Sequence, residues 1–578
     1  MAIMPKYAVR QAPSSEIEKE LEAYSPLVRQ LLYGRDILNA VEAEKFLNPH
    51  YENHSHDPFS MKDMEKAVSR ILKAIHDDER IAIFSDYDAD GIPGAVVLHD
   101  FFRRIGHVNF ENYIPDRHGE GFGLNMKAIK ELHKTECTLL ITIDCGITDI
   151  EEVQTANELG LDVIITDHHL PAQTGLPPAY AILNPKQSDC KYPEKMLCGS
   201  GVIFKLVQAL ISRLRSDTSY SMLPAPSLGQ EKWLLDMVGL ATLSDMVPLT
   251  GENRMFAYFG LKVLRKSPRK GLNELLLVMR MNKKDITEDD VGFSITPRIN
   301  AASRMGVPMD AFRLFATTDD HEASTLAKHL DKINNERKGK VASLVKEVRR
   351  KVEERGQRTV VVAGNPNWRP ALLGLVANSI AEDMRCPVFL WGREESIELK
   401  GSCRSGCGVD LSLLMYEARS AFSDFGGHKE AGGFSTTLEK VHLLESELER
   451  AYEKVRSARE SEILHTIDAI LTLDEVKEST WRDIEKLAPF GVGNQKPIFL
   501  FENVRVRKME QFGKEQQHLK LTFAKSDGVY VSAICFYATP SDFSVQPQET
   551  GTMNLLAHLE RSMFGGRAEL RLRIVDIC

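Results

Sequence analysis

At 578 residues the chain is long enough for three to five domains of ~100–200 residues, each able to bury a core without disulfide staples. Its hydrophobic (43 %) and charged (27 %) fractions are ordinary for a soluble protein, and 38 glycines with 25 prolines exclude collagen-like and long low-complexity classes. The net charge of −9 argues against coating nucleic acid by bulk positive charge but leaves room for a local basic channel. No apolar run reaches the ~18–20 residues that span a bilayer, and an amino-terminal stretch without an apolar core predicts no secretion. Nine scattered cysteines, an odd number, predict reduced thiols in a cytoplasmic protein. Cys403 and Cys407 have no second pair nearby and predict no zinc site.

In chain order, residues 1–60 read as helices, because LEAYSPLVRQLL and NAVEAEKFL carry apolar residues at three-to-four spacing. From 61 to 320 a catalytic-sized α/β unit is expected. A helix from Met64 to His76 precedes the strand RIAIFS, and a helix follows at 93–105. TLLITI, DVIIT and AYAIL are further short apolar strands with helices between them, the pattern of a doubly wound parallel sheet. Residues 199–315 read as mostly helical. Eight Lys/Arg and one acid, Glu274, between 262 and 284 make either a solvated face or one wall of a nucleic-acid channel. The charged segment 321–356, with apolar residues at helical spacing, predicts one long connector helix. A second α/β unit spans 357–460. In 461–578 the texture changes to alternation, predicting five strands of a small antiparallel barrel.

Three strands deliver chemistry to one edge. Asp86, Asp88 and Asp90 follow RIAIFS, Asp144 follows TLLITI, and Asp167, His168 and His169 follow DVIIT. Ligands of open parallel sheets bind outside the carboxyl ends of the strands. One acid there is an ordinary helix cap; three strands doing so with two adjacent histidines is not. Packed carboxylates repel unless a cation compensates. Oxygen plus imidazole donors suit manganese or magnesium better than zinc. The number of donors implies two ions, with Asp144 between the other clusters as the expected bridge, and paired ions are suited to phosphoryl displacement. On composition alone Asp245, in ATLSDMVPL, reads as a turn residue.

DYDADG (86–91), TIDCG (142–146), DHH (167–169) and LSDMVPL (243–249) resemble the four motifs of the DHH phosphoesterase superfamily. PRINAASRMG (297–306), GSCRS (401–405), FGGHKEAGG (425–433), PFGVGN (489–494) and HLK (518–520) then follow in the order of the RecJ family, bacterial 5′→3′ exonucleases on single-stranded DNA. The resemblance implies a DHH catalytic domain at 61–320, a DHH-associated phosphate- and substrate-binding domain at 357–460 and an OB-type barrel that binds single strands at 461–578. It implies that Asp88, Asp90, Asp144, His168 and Asp245 ligate two Mn²⁺ or Mg²⁺ ions, with Asp86 and Asp167 supporting from behind and His169 beside the scissile phosphate. Asp245 is thereby promoted from turn residue to ligand. A water activated between the ions is the implied nucleophile.

The same resemblance implies phosphate contacts from Arg298, Asn300 and Arg304, read as a loop-like stretch, and a terminal 5′-phosphate pocket of Ser402 and Arg404 with Arg117. Gly426, Gly427 and His428 would approach the substrate through backbone and ring. In the barrel, Phe501, Arg505, Arg507, Lys508, His518 and Lys520 are the expected strand contacts. The chain departs from the family pattern at Pro93, Cys145, Cys198 and Ser200, and none of these removes an expected ligand. The expected function is processive exonucleolytic release of nucleoside 5′-monophosphates from single-stranded DNA in repair and recombination, by a monomer acting with a helicase and a single-strand-binding protein. Alternatives are a phosphodiesterase for short oligonucleotides or cyclic dinucleotides, and a non-catalytic single-strand-binding replication scaffold.

Overall fold

Strands β1 (Ile81–Ser85), β2 (Phe110–Tyr113), β3 (Leu139–Ile143), β4 (Asp162–Thr166) and β5 (Ala181–Leu183) form one parallel sheet in the order 2-1-3-4-5. In the computed structural model, residues 7–578 are described apart from 173, 357, 394–397, 457–464, 514–515, 544 and 563–567. The sheet is covered by α1 (Met64–His76), α2 (Gly91–Arg104), α3 (Met126–Lys134), α4 (Ile150–Glu158) and α5 (Gly199–Ser216). Successive strand residues face opposite layers: Ile81 and Ile83 pack with α1, α2 and α5, whereas Ala82 and Phe84 pack with α3 and α4. That double coverage is why these strands read as unbroken apolar runs. β2 escaped the sequence reading because it is a half-buried edge strand, FENY, with no apolar run.

The first core continues through α6 (Leu235–Ser244) and α7 (Thr296–Met305) into α8 (Asp320–Arg355). α8 is a single helix of 36 residues. Leu326, Leu330 and Ile333 belong to the first core, and Val348 and Val352 to the core of the next unit. Part of the basic run at 262–284 is engaged within the domain. Arg269 is spent on Asp100 and Asp236, Arg265 donates to the Ile286 carbonyl, and Lys270 pairs with Asp320. Lys262, Lys266, Arg280 and Lys284 stay exposed on the surface.

The second unit has strands β6 (Val361–Gly364), β7 (Val388–Gly392), β8 (Leu399–Arg404), β9 (Asp424–Gly427) and β10 (Ala431–Thr436), ordered 9-10-8-7-6, with α9 (Pro370–Met384) packed against β7 and β8. Only the β6–β7 pair is parallel. The carboxyl-terminal strands β11 (Phe499–Phe512), β12 (His518–Ala524), β13 (Tyr530–Phe536), β14 (Thr552–Ser562) and β15 (Glu569–Ile577) close into a five-strand barrel, β14 returning to β11. One junction, β13 with β15, is parallel; the other barrel pairs are antiparallel.

The amino-terminal helices cap this barrel. Val28, Leu31, Leu32 and Leu47 share a core with Phe499, Phe523 and Leu555, and Tyr7–Val9 pairs in parallel with His465–Ile467. The barrel side also meets the catalytic domain, where the Arg254 guanidinium donates to the carbonyls of Phe46, Leu487, Ala488 and Pro489. Among the described residues no helix is long and apolar enough to cross a membrane.

Candidate metal centre and phosphate cleft

In a sheet ordered 2-1-3-4-5 the chain leaves β1 to opposite sides, opening a crevice between the carboxyl ends of β1 and β3. The acidic clusters stand there. The backbone ladder carries past the strand ends: Asp86 N–H donates to the Ile143 carbonyl, Asp144 N–H to Thr166 and Asp167 N–H to Leu183. Asp144 sits at φ +62°, a left-handed conformation uncommon for a non-glycine residue and concentrated at functional sites.

Asp88 Oδ1 accepts the N–H groups of Asp90 (2.8 Å) and Gly91 (3.1 Å), folding the DYDADG loop onto itself. A Cβ at Gly91 would lie 2.4 Å from the Asp86 carbonyl oxygen, so only glycine fits. Asp90 is held by the start of α5: its Oδ2 accepts Gly199 N–H (2.6 Å), its Oδ1 Ser200 N–H (2.7 Å), and its carbonyl the Ser200 hydroxyl (2.7 Å). Ser200, a departure from the family pattern, is thus a working clamp. A helix amino terminus favours the negative charge it faces. A Cβ on Gly199 would come within 2.6 Å of Asp144.

His168 Nε2 lies 3.1 Å from Asp144, 3.6 Å from Asp245 and 3.8 Å from Asp90. Asp245 caps the carboxyl end of α6, so it is the helix end, rather than a free turn, that brings it in. Three sets of donors lie within 4.8 Å of one another: Asp144, His168 and His169; Asp90, His168 and Asp245; Asp86, Asp88 and Asp144. Asp86, expected behind the cluster, stands among its donors. Asp144 and His168 each belong to two sets.

Burial and mutual repulsion push these carboxyls up. Asp90 rises to about 6 and Asp245 to about 9, and Asp86 and Asp144 stand well above the ordinary carboxylate range. Burial, with His169 beside it, drives His168 down to about 3 and keeps the imidazole neutral, as metal ligation requires. Asp86 Oδ1 and Asp144 Oδ1 are buried without a hydrogen-bond partner. Unpaired buried carboxylate oxygens, neutral imidazole and the absence of a thiolate from the three sets make a donor set that fits hard divalent cations.

Asp167 stands behind, through its His169 hydrogen bond. His169 itself is half exposed, and the ring of Phe122 meets it edge-on at 5.7 Å.

Facing the acids is a group of arginines. Arg117 lies over the Tyr87 ring at 5.0 Å. Burial lowers Arg304 to about 10, with the like charges of Arg117, Arg337 and Arg404 contributing. Arg304 Nη1 donates to the Ala371 carbonyl at 2.7 Å and its Nε is buried without a partner. Ser402 and Arg404 come from β8 and meet the first turns of α9, where a Cβ on Gly374 would lie 3.1 Å from Arg404 Nη2 and 3.6 Å from Ser402 Oγ. That cradle is closed by glycine. Gly426 and Gly427 end β9, and His428 is exposed at the tip of the β9–β10 hairpin.

Two expected phosphate contacts are otherwise engaged. Residues 296–305 are helical, not loop-like, because Pro297 is tolerated in the first turn. Arg298 is bound to Asp331 of α8 at 2.6 Å, and Asn300 Oδ1 accepts Ala89 N–H at 3.0 Å. Arg298 is thereby tied into α8, and the Asn300 oxygen holds the acidic loop.

In the barrel Phe501 is fully buried among core side chains and presents no face for a base. Arg505, Arg507 and Lys508 lie exposed along β11, Arg505 donating to the Thr550 carbonyl and Lys508 pairing with Glu510. Lys520 lies opposite Glu510. His518 belongs to an aromatic group with Phe512, Phe536 and the exposed Tyr537, ring centroids 4.9–5.3 Å from its own, and Arg573 lies over Phe536 at 4.5 Å. Sequence reasoning missed these partners, as it missed Lys186, whose ammonium is influenced by Asp245, Asp167 and Asp144, and Arg337. Only NPK directly after β5 gave a hint of Lys186.

Three family models match in order: DHH family, N-terminal domain, at 80–238; DHHA1 domain at 357–458; and RecJ OB domain at 467–576. The chain is 36 % identical over 501 residues to the single-stranded-DNA-specific exonuclease RecJ of Bacillus subtilis, covering 86 % of this chain and 61 % of that one. It is 30 % identical over 511 residues to its Escherichia coli counterpart, covering 86 % of each. The crystal structure of Thermus thermophilus RecJ in complex with Mn²⁺ superposes with a TM-score of 0.79 at 26 % identity, over 100 % of this chain and 80 % of that one. With the acidic edge, the glycine-closed arginine pocket and the closed barrel following one another in the same order, the chain belongs to the RecJ family of single-stranded-DNA-specific exonucleases.

Proposed function

We propose that the chain hydrolyses the first phosphodiester bond at the 5′ end of single-stranded DNA and releases nucleoside 5′-monophosphates one after another, serving repair and recombination. The observation that carries this reading is the meeting of two opposed fields in one crevice: six acidic and imidazole groups at the strand ends with Asp245 from the end of α6, and the arginines 117, 304 and 404 across from them. A phosphodiester chain suits such a crevice because each phosphate can lie between metal and guanidinium.

Asp88, Asp90, Asp144, His168 and Asp245, together with Asp86, would hold two divalent cations, Mn²⁺ or Mg²⁺. When bound, these ions neutralise charge on the scissile phosphate and make water acidic enough to attack it at neutral pH. The protein supplies the rest. The α5 amino terminus fixes the Asp90 carboxylate. Asp167 orients the His169 ring and raises its proton affinity, so the Nε2 left free stabilises charge on the phosphate or donates a proton to the departing 3′ oxygen. Ser402 and Arg404 grip the terminal 5′ phosphate, assisted by Arg117 and Arg304. The exposed aromatic and basic face around His518 takes the following bases.

Nine free cysteines suit a reducing cytoplasm. The chain acts as a monomer on single strands that a helicase exposes and a single-strand-binding protein keeps open. The test is cleavage of a long 5′-phosphorylated single strand and of a dinucleotide, each with Mn²⁺ and with chelator. Metal-dependent mononucleotide release from the long strand is expected. Preference for the dinucleotide would make the chain a short-substrate phosphodiesterase, and strand binding without metal-dependent cleavage would make it a scaffold.

A further inference from the structure

Beyond the terminal-phosphate pocket, α8 and α9 leave a second groove of about 460 Å³, within the size range of small-ligand sites. Its rim carries Arg337, Lys338, Lys346 and Arg349 from α8, and no acid lines it. Val341 and Val345 with Leu375 form an apolar floor. Among the described residues only Arg349 of the four cations carries an ion pair, to Asp383. Arg337 donates to Asn334 Oδ1 at 3.0 Å, and its Nε is buried without a partner. Arg337, Lys338 and Lys346, three cations without an ion pair among the described residues in a chain of net charge −9, repel one another and favour an anion between them.

The groove adjoins the pocket. Gly374 closes over Arg404, and the next residue, Leu375, lines the groove. Arg304 interacts with Arg404 on one side and Arg337 on the other. A line of cations therefore runs from the pocket into the groove.

Resting on the nuclease reading, we propose that this groove is a second nucleotide site, which takes the 5′-monophosphate product as it leaves the terminal pocket. The phosphate dianion meets Arg337 and Lys338, while sugar and base lie along the valine floor toward Lys346. The product thus leaves without crossing the strand still held at the acidic edge.

The test is calorimetric titration of the full chain with deoxyadenosine 5′-monophosphate in the presence of chelator. Two binding events are expected. Arg404→Ala should remove one, and Lys338→Gln with Lys346→Gln should weaken the other at least about tenfold, the worth of one charge-assisted hydrogen bond. A one-site titration, or a double variant identical to the parent, overturns the proposal. Inorganic phosphate binding the groove as tightly as the nucleotide would make it a plain phosphate site. A double variant that loses affinity for a 20-mer as much as for the mononucleotide would mean that the groove carries the strand, and overturns the product assignment. The titration needs no cleavage, so failure of the nuclease reading, seen as no Mn²⁺-dependent hydrolysis, is read separately.

Discussion

His169 Nδ1 lies 2.8 Å from Asp167 Oδ1, and that same oxygen accepts the backbone N–H groups of His168 (2.7 Å) and His169 (3.0 Å). The other carboxylate oxygen accepts Ile147 N–H at 3.0 Å. Burial would raise Asp167, but these donors, the His169 ring first, hold it below the ordinary carboxylate range. Burial would lower His169, but the Asp167 bond lifts it above the usual imidazole range. Asp167→Asn removes that lift. The protonated ring is then lost at lower pH, so the alkaline limb of the pH–rate profile should move toward acid and cleavage should fall by ~10²–10⁴-fold. Mn²⁺ stoichiometry should be unchanged. An alkaline limb that stays in place would remove Asp167 from this role.

Asp144→Asn should abolish cleavage while leaving single-strand affinity in chelator near the parent value, because Asp144 stands among the carboxylates rather than the arginines. The same variant should melt at higher temperature than the parent without metal. It removes a buried carboxylate repelled by Asp90, Asp88, Asp86 and Asp245. Residual Mn²⁺-dependent cleavage at the parent rate would refute the placement of Asp144 in the metal set.

The metal-free chain should lose stability as pH rises from about 4 to 9. Asp90 and Asp245 titrate at about 6 and about 9 when folded, against 3.8 ordinarily. In that window the folded chain keeps protons the unfolded chain has released, so the slope of unfolding free energy with pH is negative. Saturating Mn²⁺ replaces those protons and should flatten the slope. Melting at pH 5 and pH 9, with chelator and with Mn²⁺, should show a gap of at least a few degrees at pH 9 (on the order of 1 kcal/mol or more) and a smaller one at pH 5. A metal shift larger at pH 5 than at pH 9 would contradict the account.

Arg404→Ala and Arg298→Ala should separate substrate binding from support. The first should erase the preference for a 5′-phosphorylated over a 5′-hydroxyl end. The second should leave that preference intact and lower stability by about 1–3 kcal/mol, because Asp331 loses its partner. End preference is checked by paired substrates, stability by denaturant melts. Loss of the preference in Arg298→Ala would return that residue to the pocket.

The acidic edge was legible because its carboxylates follow strands directly, and a strand end is a fixed place in a parallel sheet. Asp245 was not legible from composition, since nothing local tells a helix end at a cluster from an ordinary turn. Arg298, Asn300 and Arg304 were read as one loop, whereas they lie on a helix and each is held by a distant partner. Their partners Asp331, Ala89 and Ala371 lie 33, 211 and 67 residues away, so the side chains' engagements are invisible in sequence. Phe501 shows the same limit, because alternation along a strand does not say which face of a closed barrel is inside. In the basic run at 262–284 the pairing of Arg269 and Lys270 was hidden because Asp100, Asp236 and Asp320 lie outside any window that counts local charge.

Asn300 holds the Ala89 N–H of the acidic loop, and Arg304 holds the Ala371 carbonyl at the start of α9. They stand four residues apart on α7, a rise of ~6 Å. The acidic loop and the start of α9 are thus gauged by a single helical turn, a stiff caliper with no hinge between its jaws. On the nuclease reading, inserting one residue between 300 and 304 should shift that spacing and change the length of fragment released before it changes the rate.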